Sequence, residues 1–148
     1  MTDMERGLLA KKIEMSQIFD EEGRVVPVTI LEALEKLGAE SAIHEGDFVK
    51  ISGTSKGKGF QGVVKLHGFR GAPKTHGTKH AHRQPGSIGA TWPQRVLKGT
   101  RMAGRMGGAR VTVRNIMVVK VDKDKKRIYL KGAVPGARNS KLEIRVSL

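Results

Sequence analysis

Four stretches of the chain hold side chains whose type and spacing suit chemistry, and all four are cationic or aromatic. The first is GTSKGKGFQG at 53–62, where Lys56 and Lys58 sit among glycines. Glycine lets backbone N–H groups approach a phosphate closely, and the ammonium groups add point charge. A nucleotide-binding P-loop needs G-x-x-x-x-G-K-[ST], and here Gly59 is followed by Phe60 and Gln61, so that order is missing. A contact to an RNA backbone fits better, with a plain flexible loop as the other possibility.

The second stretch holds His76, His80 and His82, with His67 upstream. The H-x-x-x-H and H-x-H spacings invite zinc. No cysteine or carboxylate lies near to complete a ligand set, and the surrounding cations would repel a metal ion. Flat imidazoles beside Lys79 and Arg83 suit base stacking and phosphate contact; solvated loop histidines are the bland alternative. The third is GATWPQR, with the only tryptophan, Trp92. Tryptophan is usually buried, but no periodic apolar face surrounds this one, so an exposed stacking or wedging position is expected. The fourth is KGTRMAGRMGGAR at 98–110. Arginine forks grip phosphate in pairs of hydrogen bonds, and Gly and Ala bring the backbone close. A methionine-rich core helix is the rival, and Gly104, Gly107 and Gly108 make it expensive.

No catalytic machinery accompanies these stretches. The acids lie in the flanks and most histidines in the cationic middle, so no acid–base pair forms. Ser52, Ser55 and Ser87 have no elbow-type context. The chain is expected to be no enzyme and to use no metal, cofactor or small-molecule substrate.

The distribution of charge is the strongest signal. The chain has 148 residues and a formal net charge of +14. Residues 1–52 carry 6 Lys/Arg and 11 Asp/Glu, whereas residues 53–114 carry 13 Lys/Arg and no acid. Ordinary soluble surfaces mix both signs. The same middle segment holds 13 of the 19 glycines and four of the five histidines. No helical or strand period survives there. Such a segment has little with which to build its own core, and a polyanion would supply charge-assisted partners that order it. Cysteine is absent, which excludes disulfides and thiolate metal sites. No apolar run approaches the roughly 18 residues that span a bilayer. The first residues lack the pattern of a secretory signal, so a cytoplasmic setting and no membrane partner are expected.

The flanks must position this arm, and they read as β structure. Strands are expected over 7–14, 25–32 (with Pro27 near its start or at an edge) and 48–53. Turns are expected at 20–24 and 44–47, and a brief helix over 33–42. After the basic middle come strands at 111–122, with a bend near Asn115, at 127–134 and at 142–146, separated by polar turns. GFQGVVKLHGF at 59–69 reads as the start of a short helix. Short strands joined by turns point to a small β-barrel or partial sandwich.

The chain also resembles the ribosomal protein L-three family of the large subunit, in its bacterial form. The match runs from KISGTSKGKGFQG through RQPGSIGATWPQRVLKGTRMAGRMGGARVTVRN to KGAVPGARNS, with AKKIEMSQIFDEEGRVVPVTILEA at the start. This covers nearly all of the chain except about residues 34–45. The resemblance implies a mainly β fold: a translation-protein-type barrel with a long, basic, largely irregular loop extension. One domain is expected over 1–148, with the barrel from 1–58 and 110–148 and the extension at 59–109.

The family also implies a structural part of the large subunit. Its extension reaches through 23S-type rRNA towards the peptidyl transferase centre and aids assembly, with neighbouring large-subunit proteins as further partners. Carried onto this sequence, the rRNA-binding residues are Lys56, Lys58, Lys65, His67, Arg70, Lys74, His76, Lys79, His80, His82, Arg83, Arg95, Lys98, Arg101, Arg105 and Arg110. Thr91, Trp92, Pro93 and Gln94 would form the extension's tip. Many bacterial members carry a methylated glutamine there, a modification not carried over to Gln94. Set against the family, about 60 residues are missing between Ala33 and about Glu45, including barrel strands, which would leave the barrel incomplete and its sheet edges open. A general nucleic-acid-binding module, a stand-alone minimal barrel and a histidine-based metalloenzyme are the rival expectations.

Overall fold

The computed structural model describes residues 8–34 and 43–146. These fall into two compact units. One comprises the described residues up to Lys56 and from Gly108 onward, and the other is Gly57–Gly107.

The first unit contains six strands. They are β1 (Leu8–Phe19), β2 (Val25–Ala33), β3 (Phe48–Thr54), β6 (Arg110–Asp122), β7 (Arg127–Lys131) and β8 (Lys141–Val146). Between β3 and β6 the chain forms the second unit, with strand β4 (Phe60–Gln61), helix α1 (Val63–His67) and strand β5 (Gly104–Arg105). The six strands close into a barrel in the order β1-β2-β7-β6-β3-β8, all pairs antiparallel. The incomplete barrel expected from the shortened sequence is therefore not what forms: each strand has two partners. β2 and β3, which flank the shortened connection, are not neighbours in the ring, so no gap opens between them.

Alternation along the strands builds the core. Val49 and Ile51, Ile116 and Val118, Ile128 and Leu130, and Leu142 and Ile144 point inward with Ala10 and Leu31. Ile128 and Leu130 are fully buried, and each such side chain contributes roughly 1.5–3 kcal/mol. Gly53 has a packing reason to be glycine. A Cβ there would meet Leu142 Cδ2 at 2.3 Å.

Among the described residues one charged side chain is buried. Lys12 faces inward on β1, and its Nζ donates to the carbonyls of Val134 (2.9 Å) and Gly136 (3.1 Å). Its backbone bonds Asn139 and Ser140. The lysine thereby ties the 135–140 turn to the barrel, and these bonds offset part of the cost of removing the amine from water. That desolvation, helped by the charge of Lys56, pulls its pKa below the usual lysine value.

Local departures have local causes. Asn115 adopts φ 56° where Arg114 and Asn115 together oppose Lys50, a bulge that supplies the expected bend. β7 is shorter than the expected 127–134 because Gly132 turns at φ 86°. β1 is longer than expected: it runs on to Phe19 as a hairpin with β2. The Asp20 carboxylate closes that turn by accepting from the backbone N–H of Glu22 and Arg24. Ala33 belongs to β2, and residues 35–42 of the expected helix lie outside the described residues. No helix among the described residues is long and apolar enough to cross a membrane.

Candidate nucleic-acid interface

The second unit has a small scaffold and a large exposed surface. Its base is the short ladder of β4 and β5, pairing Phe60 with Arg105 and Gln61 with Gly104. Lys58 N–H donates to Met106 O and Met106 N–H to Gly59 O, both at 2.9 Å. Residues 60–61 are thus strand, and the helix expected near 59–69 is confined to Val63–His67. Gly68 ends it in the left-handed region and returns its N–H to Val63 and Val64 carbonyls, as helix C-termini favour. Val63 is buried, giving this unit an apolar anchor that composition did not reveal.

Two histidines hold loops together. His67 Nε2 lies 2.9 Å from Met102 O, and His82 Nδ1 lies 3.2 Å from Pro73 O. Each ring N–H can donate to its carbonyl. Ala72 N–H also donates to His82 O at 3.2 Å. The chains approach so closely here that a Cβ on Gly71 would lie 2.2 Å from His82 O. Gly71 also has φ 76°, so only glycine fits without strain. One sequence carries no signal for this approach.

Around this scaffold the cations stand free. Lys58, Lys65, Arg70, Lys74, Lys79, Arg83, Arg95, Lys98, Arg101 and Arg105 are all exposed. None belongs to the ion pairs found among the described residues. His76 and His80 are exposed as well. Among the described residues no three His, Cys, Asp or Glu side chains converge to hold a metal ion. Thr91, Trp92, Pro93 and Gln94 are exposed, and Trp92 is 77% accessible. A large aromatic surface left in water beside unneutralised cations is costly alone, and it offers a platform for a nucleobase. Residues 98–103 form no helix, and Met102 is exposed, so the core-helix alternative does not hold.

Lys56 and Arg110 belong to the first unit. Lys56 is exposed. Arg110 donates to Glu143 at 2.6 Å, and Arg145 donates to the same carboxylate. The hydrogen bonds from Arg145 and then Arg110 hold the Glu143 pKa below its ordinary value.

Fold and site together define a class: a closed six-stranded β-barrel protein with a loop unit whose exposed cations pair with no acid among the described residues. Comparison with known proteins narrows it. Residues 2–128 match the family described as Ribosomal protein L3. The chain is 36% identical over 202 aligned positions to the large ribosomal subunit protein uL3 of Streptococcus pyogenes serotype M5 (strain Manfredo), covering 96% of this chain and 97% of the relative. The large ribosomal subunit protein uL3 of Streptococcus agalactiae serotype Ia gives the same identity and coverage. The chain belongs to the ribosomal protein L3 family. Its 148 residues are 54 fewer than the 202 aligned positions, in keeping with an absent internal segment.

Proposed function

We propose that this protein binds large-subunit rRNA through the second unit and helps to fold that RNA during assembly. As a member of the L3 family it is a structural protein of the large ribosomal subunit rather than an enzyme, and its place of work is the cytoplasmic ribosome. The observation that carries the proposal is the set of ten exposed Lys and Arg side chains on Gly57–Gly107 without an acidic partner among the described residues. Such cations gain free energy when they release counterions condensed on phosphates. Arginines 70, 83, 95, 101 and 105 would clasp phosphate through two N–H groups, and the lysines would act as point charges. His76 and His80 would add contacts, while His67 and His82 keep the loops in shape. Lys56 and the remaining donors of Arg110 would extend the footprint. The Thr91–Gln94 turn, led by Trp92, would be the part directed towards the peptidyl transferase centre. The barrel would give the protein its fixed place beside neighbouring large-subunit proteins.

A competition experiment tests this. Labelled large-subunit rRNA is bound to the protein, then challenged with unlabelled large-subunit rRNA, random-sequence RNA and duplex DNA. Displacement by the large-subunit RNA at far lower concentration supports the proposal. Equal displacement by all three would instead favour a general nucleic-acid-binding module.

A further inference from the structure

From the β1–β2 hairpin we infer a second binding surface, one that takes an extended, basic polypeptide strand from another protein. The barrel closes through the first third of β1 alone, because Leu8–Lys11 pair with β8. Lys12 continues that line by bonding the backbone of Asn139 and Ser140. A bulge follows between Lys12 and Glu14. Beyond it, β1 pairs only with β2, and no described strand covers its other edge from Glu14 to Phe19.

The direction of the open backbone groups follows from the register. Gly132 N–H donates to Pro27 O, so Pro27 faces β7 and away from β1. Its partner Gln17 must then face away from β2, as do Met15 and Phe19 two residues to either side. Three residues thus hold out backbone N–H and C=O groups towards solvent. The opposite edge of the hairpin is blunted by Pro27, which has no N–H. The β1 edge has no such protection.

Side chains define what fits there. Met15 and Phe19 share one face with Val25 across the ladder, and they are 52%, 62% and 54% exposed. This is the face that continues the core side of β2, where Thr29 is buried. The rim is acidic: Glu14, Asp20, Glu21 and Glu22 outnumber two bases, Arg138, which pairs with Glu14 at 3.3 Å, and Arg24, which pairs with Glu22. In a chain of net charge +14, this hairpin keeps an excess of acid and repels phosphate. An RNA strand is therefore disfavoured, and the basic segment of a second copy is the one already assigned to rRNA in the proposed function. A basic chain segment with apolar residues at alternate positions would add a strand to the β1 edge, lay its apolar face on Met15 and Phe19, and meet the acids with its Lys and Arg.

The inference rests on the protein being built into the large subunit, and the test separates the two. A photo-crosslinking amino acid replaces Phe19 in one variant and Trp92 in a second, each expressed in cells, and large subunits are purified and irradiated. Mass spectrometry identifies each adduct. The expected result is that the Phe19 probe attaches to a Lys/Arg-rich segment of another ribosomal protein and the Trp92 probe to RNA. A Glu21→Lys/Glu22→Lys change, which leaves the Asp20 turn intact, should reduce the Phe19 protein adduct about tenfold with the Trp92 adduct unchanged. A Phe19 adduct to RNA, to a second copy of this chain or to nothing, in subunits that contain the protein, would overturn the inference. Absence of both variants from the subunit would overturn the proposed function instead.

Discussion

Arg101 and Arg105 offer the sharpest perturbation of RNA binding. Both side chains are exposed, and Arg105 is held in place by the β5 ladder to Phe60. Neither has an acidic partner among the described residues. Changing both to glutamine therefore removes charge without breaking an internal contact. Each phosphate neutralised adds about 0.7–0.9 to the slope of log affinity against log salt, so the double variant should lose about 1.4–1.8 from that slope. Between about 50 and 200 mM salt, six to ten phosphate contacts cost the parent about 10³–10⁵-fold in affinity. Over that fourfold range the variant should lose about tenfold less than the parent, because it releases fewer counterions on binding. Fluorescence anisotropy with a large-subunit rRNA fragment at five salt concentrations reads both slopes. A circular dichroism spectrum matching the parent shows that the fold is retained. Equal affinities and parallel slopes would refute the claim that these arginines neutralise phosphate.

Other perturbations test the scaffold and the site separately. Gly53→Ala forces a Cβ against Leu142 and should cost about 1–3 kcal/mol in a urea melt, whereas Gly57→Ala, with nothing within 4 Å, should change stability little. Glu143 titrates below its ordinary value of 4.5. In acid the unfolded chain therefore binds this proton first. Its stabilising pairing with Arg145 and Arg110 is complete above about pH 4.5 and is lost as pH falls through the lower folded value. Glu143→Gln should flatten that part of a stability-versus-pH curve. Trp92→Ala should leave thermal stability unchanged, since the side chain is exposed. It should weaken RNA binding by about 1–3 kcal/mol if a base stacks on the indole, as measured by the same anisotropy assay.

The barrel was largely legible because its strands obey a two-residue period. Ile128/Leu130 and Leu142/Ile144 alternate inward, and polar turns separate them. The bend at Asn115 was legible too, since asparagine tolerates the left-handed backbone that a bulge needs. Closure of the ring was not. It depends on pairing β1 with β8 and β3 with β6, which are long-range choices that no local pattern encodes. The extent of β1 was hidden because Met15, Gln17 and Phe19 alternate with no buried face to reveal them.

The candidate interface divides in the same way. Its charge, and the exposure of Trp92, followed from an acid-free segment with no apolar period. Its internal order did not. The bonds of His67 and His82 to backbone carbonyls, and the approach at Gly71, arise from loops meeting across nine or more residues. The buried Lys12 was equally invisible, because a lysine on a strand ordinarily faces water.

The most direct trial is to crosslink the protein to total cellular RNA with ultraviolet light and sequence the attachment points on both partners. The account predicts adducts concentrated on large-subunit rRNA and joined through residues between Lys58 and Arg105, Trp92 among them. Adducts scattered over messenger and transfer RNA, or joined mainly through the barrel strands, would contradict it.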